Sequence, residues 1–187
     1  MNRKAVFLDR DGTINIEKNY LYNIEDFEFI SGVIESLKLL QDAGFLLFII
    51  TNQSGIARGY YTEKEFNDLN DWMLDFLENR GIHISKVYYC PHLPEAKEVK
   101  YRKNCNCRKP ALGMYEQAMR EFDIDMSESF SIGDKFRDCV VCQTYDCKGF
   151  LIGNNESEDV ISSVKRGEVN HVKYAEDLYA AVSKIIN

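Results

Sequence analysis

A short apolar run passes directly into an acidic loop in the stretch Ala5-Val6-Phe7-Leu8-Asp9-Arg10-Asp11-Gly12-Thr13. Consecutive apolar residues that end at a charged loop are typical of a strand that is buried on both faces. Comparable runs follow at residues 45–50, 87–89, 130–132 and 149–152. We predict a buried strand at each of these positions.

Helical patterns separate the predicted strands. Apolar residues recur at helical spacing in residues 33–40, and further helices are predicted over 111–122 and 175–186. Another helix starts at Thr62, because Thr62 and Glu65 form the pattern of a capping box. Strands that alternate with helices predict an α/β fold with a three-layer, Rossmann-like parallel sheet covered by helices on both faces.

Composition limits the class of protein. The 187 residues fit one domain spanning 1–187, and the net charge of -7 gives no basic face for nucleic acid. The longest apolar run is far shorter than a membrane span, and residues 1–8 lack the apolar core of a secretory signal. Six cysteines in such a chain indicate reduced thiols. We therefore expect a cytoplasmic protein, without membrane or nucleic-acid partners, and a monomer.

Polar residues follow three of the predicted strands. Asp9 and Asp11 come after the first, Thr51 after the second, and Asp134 after the fourth. If these strands are neighbours, their loops meet in one crevice at the carboxyl ends of the sheet. Carboxylates with this spacing suit Mg²⁺. The alternative interpretation is that Asp9 and Asp11 only cap a loop, as an isolated Asp-x-Asp pair would. Together with a hydroxyl and the ammonium group of Lys109 or Lys135, such a cation would bind a phosphoryl group that is being transferred.

These segments resemble the four ordered motifs of haloacid dehalogenase-superfamily phosphatases. The motifs are Asp9-Arg10-Asp11-Gly12-Thr13-Ile14, Thr51-Asn52-Gln53, Lys109-Pro110 and Gly133-Asp134-Lys135. The resemblance implies that Asp9 is the nucleophile and that Asp11 is the general acid and base. It also implies that Thr51 and Lys109 bind the phosphoryl oxygens. Mg²⁺ would be held by the Asp9 carboxylate, the Asp11 main-chain carbonyl and Asp134.

A second group of residues has the spacing of a metal site. Cys90 and His92 form one pair, and Cys105 and Cys107 form another. Three thiolates and one imidazole make a closed, tetrahedral Cys₃His set, which is typical of structural Zn²⁺. The alternative is four free side chains in a reducing compartment. We therefore predict a zinc-stapled loop insertion at residues 90–107, here called the zinc loop, which would fix the position of Lys109.

The zinc loop indicates a particular family within this superfamily. Together with residues 51–59 and 107–110, it is similar to the heptose 1,7-bisphosphate 7-phosphatase family, a small subgroup that lacks a large cap domain. That resemblance implies a sugar bisphosphate substrate and a role in nucleotide-activated heptose and lipopolysaccharide precursor synthesis. Histidinol-phosphatases carry a similar zinc loop, so hydrolysis of histidinol phosphate is an alternative. A zinc-stabilised binding module without catalysis is another, although the intact motifs argue against it.

A substrate with two phosphates needs a cation away from the reacting phosphate. Arg58 and Arg108 are the candidates, because a guanidinium group binds phosphate through two parallel hydrogen bonds. The resemblance also places residues 17–20 near substrate. The full set of expected substrate contacts is Asp9, Arg10, Asp11, Glu17, Lys18, Asn19, Tyr20, Thr51, Asn52, Gln53, Ser54, Arg58, Arg108, Lys109 and Lys135.

Two predictions concern residues outside these motifs. The remaining cysteines, Cys139, Cys142 and Cys147, are interpreted as small apolar residues of the core. Asp138 is interpreted as a carboxylate that organises its loop.

Overall fold

Six strands form in residues 3–187, the part of the chain that the computed structural model describes. They are β1 (Ala5–Leu8), β2 (Leu46–Asn52), β3 (Lys86–Cys90), β4 (Phe130–Gly133), β5 (Lys148–Ile152) and β6 (Val172–Ala175). All neighbouring strands are parallel, and their order across the sheet is β3-β2-β1-β4-β5-β6. The predicted parallel sheet is confirmed.

Helices cover both faces of this sheet. Those in the described residues are α1 (Val33–Asp42), α2 (Ser54–Arg58), α3 (Glu63–Glu78), α4 (Gly113–Phe122), α5 (Phe136–Cys139), α6 (Val141–Thr144), α7 (Glu158–Lys165) and α8 (Leu178–Ile186). The capping box predicted for α3 is present, with Thr62 and Glu65 each bonding the other's backbone N–H. Short 3₁₀ turns occur at Ile24–Asp26, Val99–Tyr101 and Met126–Glu128.

The alternation of side chains along β1 separates two apolar layers. Val6 and Leu8 pack into a cluster with α1, α3 and α8, whereas Ala5 and Phe7 pack into a cluster with α4 to α7. All four side chains are at most 1% exposed. Burying a large apolar side chain contributes about 1.5–3 kcal/mol. Because β1 is buried on both faces, the loop that follows it starts from a fixed position.

The sixth strand is a correction to the sequence analysis. The helix predicted over 175–186 starts later, at Leu178, where Asp177 accepts from the Ala180 N–H at 2.7 Å, and residues 172–175 form β6. Val172 and Ala175 are buried, while Lys173 is exposed. An edge strand has one solvated flank, so it does not need the continuous apolar run by which the other strands were predicted.

The strand order creates a crevice beside β1. The chain runs outward from β1 through β2 to β3 and then returns to the other side of β1 with β4. In open parallel sheets, ligands bind outside the carboxyl ends of the strands at such a reversal. Asp9, which follows β1 directly, therefore lies at the favoured position.

Two long connections flank the sheet without forming a second layer of strands and helices. Residues 9–32 join β1 to α1, and residues 91–112 join β3 to α4. Within residues 3–187 there is no large cap domain, as predicted. None of the helices in this part of the chain has the length and apolar character needed to cross a membrane.

The three cysteines outside the zinc loop lie in the core. Cys139, Cys142 and Cys147 are at most 1% exposed and pack in the cluster under α4 to α7. Burial raises the pKa of the Cys139 thiol well above its usual range. These thiols behave as the small apolar residues that the sequence predicted.

Candidate active site

Lys109 joins the loops that end three strands. Its Nζ atom is 3.0 Å from Asp9 Oδ1 and 2.7 Å from Asp138 Oδ1, and it donates to the carbonyl of Ile50 at 2.6 Å. The side chain of Lys109 is 1% exposed, so these partners replace water around its charge. Asp138 also accepts from the Lys135 N–H at 3.0 Å, and this bond organises the loop between β4 and α5.

The carboxyl ends of the central strands border a cleft of about 200 Å³. Its lining residues are Asp9, Asp11, Glu17, Thr51, Asn52, Asp134, Lys135, Arg137 and Asn155. The structure therefore brings the loops after β1, β2 and β4 to one crevice, as their positions after parallel strands predict. A fourth loop, which follows β5, contributes Asn155.

Burial and like charge dominate the electrostatics of the cleft. Burial, together with the negative charge of Asp138, raises the pKa of Asp9 to about 6, although Lys109 opposes this shift. Burial and the charge of Asp9 raise the pKa of Asp134 to about 6. Burial alone would lower the pKa of Lys109, but Asp138 and Asp9 outweigh it and raise that pKa. The cleft therefore combines a charged lysine with two carboxylates that repel each other.

Asp11 is held from two sides. Arg10 Nη2 lies 3.1 Å from both carboxylate oxygens, and Asn15 Nδ2 donates to Oδ1 at 3.0 Å. On the other side, Gln53 Nε2 donates to Oδ2 at 2.9 Å. Burial acts to raise the pKa of Asp11, but Arg10, Asn15 and Gln53 outweigh it and lower that pKa. The carboxylate form of Asp11 is thus stabilised.

The side chain of Arg10, an expected substrate contact, does not line the cleft. It is fully buried and also donates to Asn70 and to the carbonyl of Leu21. Its guanidinium lies 5.3 Å from the ring centroid of Phe66 on α3. Only the backbone N–H of Arg10 is beside the nucleophile, and it donates to Asp9 Oδ1 at 2.8 Å.

The amides of Asn52 and Gln53 also bind protein groups. Asn52 Oδ1 accepts from the Lys109 N–H at 3.0 Å, while Asn52 Nδ2 donates to the Lys109 carbonyl at 3.0 Å. Gln53 is 3% exposed and donates to Thr51 Oγ1 at 2.8 Å as well as to Asp11. Asn52 therefore fixes the lysine segment, and the Gln53 side chain is turned toward Asp11 instead of the open cleft.

The carboxylates fit a hard divalent cation. Asp9, Asp134 and Asp138 each place an oxygen within 4.8 Å of the others. Asp9 and Asp138 are both paired with Lys109, whereas Asp134 forms no ion pair within residues 3–187 and is repelled by the charge of Asp9. Mg²⁺ prefers oxygen ligands and would remove their repulsion. The side chain of Asp11 also lines the cleft but is held by Arg10, Asn15 and Gln53 and is not part of this carboxylate cluster.

The four predicted ligands of the zinc loop lie together. Cys90 Sγ is 3.5 Å from Cys105 Sγ and 3.1 Å from Cys107 Sγ, and His92 Nδ1 is 3.3 Å from Cys107 Sγ. Around Zn²⁺, with Zn–S of about 2.3 Å, tetrahedral geometry separates the sulfurs by about 3.8 Å. The two sulfur–sulfur distances, 3.5 and 3.1 Å, are shorter than this value. All four donor atoms lie within 4.8 Å of one another, so this cluster can hold a metal ion.

The chain is similar to several known phosphatases. The sequence profile of the family described as Polynucleotide kinase 3 phosphatase matches residues 4–163. The D-glycero-beta-D-manno-heptose-1,7-bisphosphate 7-phosphatase of Haemophilus ducreyi is 49% identical over 151 residues, which is 79% of this chain and 81% of that protein. The corresponding alpha-heptose enzyme of Campylobacter jejuni is 46% identical over 159 residues, covering 85% and 87% of the two chains.

A solved structure shares the whole fold. The D,D-heptose 1,7-bisphosphate phosphatase from B. bronchiseptica, complexed with magnesium and phosphate, matches with a TM-score of 0.81. It is 27% identical, and the match covers 98% of each chain. Our chain belongs to the heptose-1,7-bisphosphate 7-phosphatase family. It is therefore a phosphatase of the haloacid dehalogenase superfamily, as the sequence motifs predict.

Three guanidinium groups lie around the outer part of the site in this member of the heptose bisphosphatase family. Arg108 donates to the His92 carbonyl at 3.4 Å, and Arg137 lines the cleft. Burial lowers the pKa of Arg108, the Cys90 and Cys105 thiols oppose the shift, and the positive charges of Arg137 and Arg58 add to it. Since Arg108 has no carboxylate partner within residues 3–187, this cationic rim can accept an anion.

The loop after the nucleophile contributes Glu17 to the cleft and approaches Arg58 through Tyr20. Asn19 and Tyr20 both have positive φ values, 51° and 68°, which is uncommon for residues other than glycine. Tyr20 is 40% exposed, and its ring contacts Tyr60 at 4.7 Å and lies 6.0 Å from the Arg58 guanidinium. Lys18 pairs with Glu28 at 3.4 Å on the surface. Of residues 17–20, Glu17 is the one that lines the cleft.

Some residues of the heptose bisphosphatase site were missed by the sequence analysis. Asn155 donates to Asp134 Oδ2 at 3.1 Å, and Arg137 borders the cleft on α5. Asn155 follows β5, so the rule that polar residues cluster after parallel strands could have identified it. No motif indicates Arg137, because its place depends on the direction in which α5 leaves the sheet.

Proposed function

We propose that this chain removes the 7-phosphate from D-glycero-D-manno-heptose 1,7-bisphosphate in a Mg²⁺-dependent reaction through an aspartyl-phosphate on Asp9. The product would be the heptose 1-phosphate of nucleotide-activated heptose and lipopolysaccharide precursor synthesis. The supporting observation is the identity of nearly half over four-fifths of the chain to phosphatases of that name, with the nucleophile, acid and lysine set intact. We further propose that the protein is a monomer. We also propose that it is cytoplasmic, since free thiols and a metal site made of thiolates need a reducing compartment.

The first step forms the covalent intermediate. A carboxylate oxygen of Asp9 attacks the phosphorus of the 7-phosphate, and the bond between phosphorus and the sugar oxygen breaks. Asp11 gives its proton to that oxygen, so the sugar leaves as an alcohol. Bound Mg²⁺ would supply positive charge to the phosphoryl oxygens. Lys109 and Thr51 bind those oxygens and orient the group for attack.

The second step releases phosphate. Asp11, now a carboxylate, takes a proton from a water molecule, whose oxygen attacks the phosphorus and breaks the bond to Asp9. The contacts of Arg10 and Gln53 favour this base form of Asp11. The first step needs the acid form, and the dianionic phosphate of a bound substrate favours it by like-charge repulsion.

The second phosphate of the substrate would lie at the cationic rim. Arg108 is the proposed contact, with Arg58 and Arg137 nearby, and Glu17, Ser54 and Lys135 are proposed contacts of the sugar and reacting phosphate. A polynucleotide substrate, which the matching profile is named for, is disfavoured by a net charge of -7.

Phosphate release from a substrate panel tests the function. The panel contains both anomers of heptose 1,7-bisphosphate, histidinol phosphate, fructose 1,6-bisphosphate and a 3′-phosphorylated oligonucleotide, with Asp9→Asn as the control for contaminating phosphatase. We expect the highest kcat/KM for a heptose bisphosphate, and ³¹P NMR of the product should retain the 1-phosphate signal. A preference for histidinol phosphate or the oligonucleotide would refute the proposal.

A further inference from the structure

We propose that Tyr61, acting through the side chain of Gln53, is a positioning residue for the Asp11 carboxylate during phosphoryl transfer. The inference rests on the proposed role of Asp11 as general acid. It does not depend on which phosphate ester is the natural substrate.

The hydrogen bonds of Gln53 have only one consistent direction. In its ionised resting form the Asp11 carboxylate can only accept, so the Gln53 amide nitrogen faces it, and the same nitrogen donates to Thr51 Oγ1. Gln53 Oε1 then faces the opposite way and accepts from the Tyr61 hydroxyl. Since Gln53 is 3% exposed, removal of that hydroxyl would leave a buried oxygen without a partner.

Packing fixes the Tyr61 hydroxyl in place. Tyr61 is 5% exposed and lies in a small apolar cluster with Ile56 and Phe66. Its ring stacks on Tyr22 with centroids 5.4 Å apart and planes at 20°. The ring also lies directly over Gly55, where an added Cβ would come within 2.1 Å of Tyr61 Cε1. The position of the hydroxyl is therefore set by the core, not by solvent.

The hydrogen bond from Gln53 to Asp11 matters because it holds the Oδ2 side of the carboxylate. Arg10 Nη2 binds both oxygens of Asp11 and Asn15 binds Oδ1, whereas Gln53 binds Oδ2 from the loop that follows β2. The side chain of Asp11 is 15% exposed, and its open part faces the cleft. Without a firm Gln53 contact, the carboxylate can rotate away from the leaving oxygen. The rate should therefore decrease in the step in which Asp11 gives its proton to the leaving oxygen.

The test is Tyr61→Phe, which keeps the ring and removes one hydroxyl. In single-turnover measurements we expect the rate with an alkyl phosphate to fall about three- to ten-fold, the effect of one hydrogen bond, with little change in KM. The rate with p-nitrophenyl phosphate should stay within two-fold, because its leaving group needs no proton. Tyr22→Phe is the matched control, since the Tyr22 hydroxyl makes no hydrogen bond within residues 3–187 and its ring occupies the same stack.

A double-mutant cycle tests the route through Gln53. If Tyr61 acts through this amide, Tyr61→Phe should have no further effect in a Gln53→Ala background. Equal rate losses with alkyl and aryl phosphates, wild-type rates with both, or an undiminished effect in that background would each overturn the proposal. The alkyl phosphate can be any ester that the wild-type protein hydrolyses, so failure of the heptose substrate would not be mistaken for failure of this inference.

Discussion

Asp9 is both the proposed nucleophile of this phosphatase and a buried charged residue. It follows a strand that is at most 1% exposed, and it meets Lys109 at 3.0 Å. We expect Asp9→Asn to reduce turnover by at least about 10³-fold, because the amide cannot form the covalent intermediate. The circular dichroism spectrum should be unchanged, since the two side chains have nearly the same shape. Substantial turnover by pure variant protein would contradict the covalent mechanism.

Arg108 should determine the preference for a second phosphate. Its guanidinium group donates to a main-chain carbonyl and is repelled by the positive charges of Arg58 and Arg137. An anion bound beside Arg108 would reduce this repulsion between guanidinium groups. A charge-assisted hydrogen bond contributes about 1.5–3 kcal/mol, so Arg108→Ala should lower kcat/KM for the bisphosphate about 10–100-fold. Hydrolysis of a small monophosphate should change little.

Two further variants give this specificity test its controls. Arg120→Ala removes an exposed arginine from α4 and should leave the ratio of the two specificity constants unchanged. Arg137→Ala shows whether the residue that lines the cleft shares the second phosphate with Arg108. If Arg108→Ala also leaves the ratio at its wild-type value, Arg108 does not bind the remote phosphate.

At this scale, the sequence predicted which residues meet but not how each side chain is used. Asp9, Asp11 and Asp134 could be placed together because parallel strands deliver their following loops to one edge. The use of Arg10 was not predictable, since its guanidinium is packed against Phe66, which is distant in sequence and belongs to α3. The orientation of the Gln53 amide depends in the same way on the packing of Tyr61.

At the scale of elements, the zinc loop connects metal binding to the position of Lys109. Cys107 is two residues before Lys109, and the loop is also tied to α3, where Glu63 accepts from the hydroxyl of Tyr101 at 2.6 Å and from Lys100 at 3.0 Å. Loss of the metal should therefore loosen the end of the loop that carries the ligands and the lysine. The part near Glu63 keeps a second attachment.

The third prediction concerns the metal content. Protein purified without chelator should contain one zinc ion per chain, because thiolate and imidazole ligands favour Zn²⁺ over Mg²⁺. Cys105→Ser should lower the zinc content measured by elemental analysis and reduce activity, although the metal contacts no substrate. Cys147→Ala, which removes a buried thiol outside the cluster, should retain the ion. Absence of zinc from the wild-type protein would refute the site.

Elements were predictable to the extent that their pattern was strong. Buried strands such as β1 and β2 could be found from continuous apolar runs, and α3 from its capping box. The edge strand β6 and the helices α2, α5, α6 and α7 were not predicted. A four-residue element has too few positions to show a period, and tertiary contacts decide its conformation.

At the scale of the whole molecule, the sheet concentrates opposing charges in one buried crevice of a protein whose net charge is -7. Burial raises the pKa of both Asp9 and Asp134, helped by the charge of Asp138 on Asp9 and by the charge of Asp9 on Asp134, which costs folding free energy. Ligands that neutralise this repulsion bind only the folded chain. Their binding should therefore be visible as a gain in the stability of the entire domain.

The last prediction measures this coupling. Beryllium trifluoride bound to an aspartate mimics an acyl phosphate. In the presence of Mg²⁺, beryllium trifluoride at 100 times its own dissociation constant should increase the free energy of unfolding by about 2.7 kcal/mol. For a chain of this size, about 2–4 °C per kcal/mol gives a rise in Tm of about 5–11 °C in differential scanning calorimetry. Asp9→Asn should show no such rise, because it lacks the carboxylate oxygen that binds beryllium. Cys147→Ala should keep it. An equal rise in the Asp9→Asn variant would mean that the fluoride complex binds elsewhere and that Asp9 is not the residue that carries the phosphoryl group.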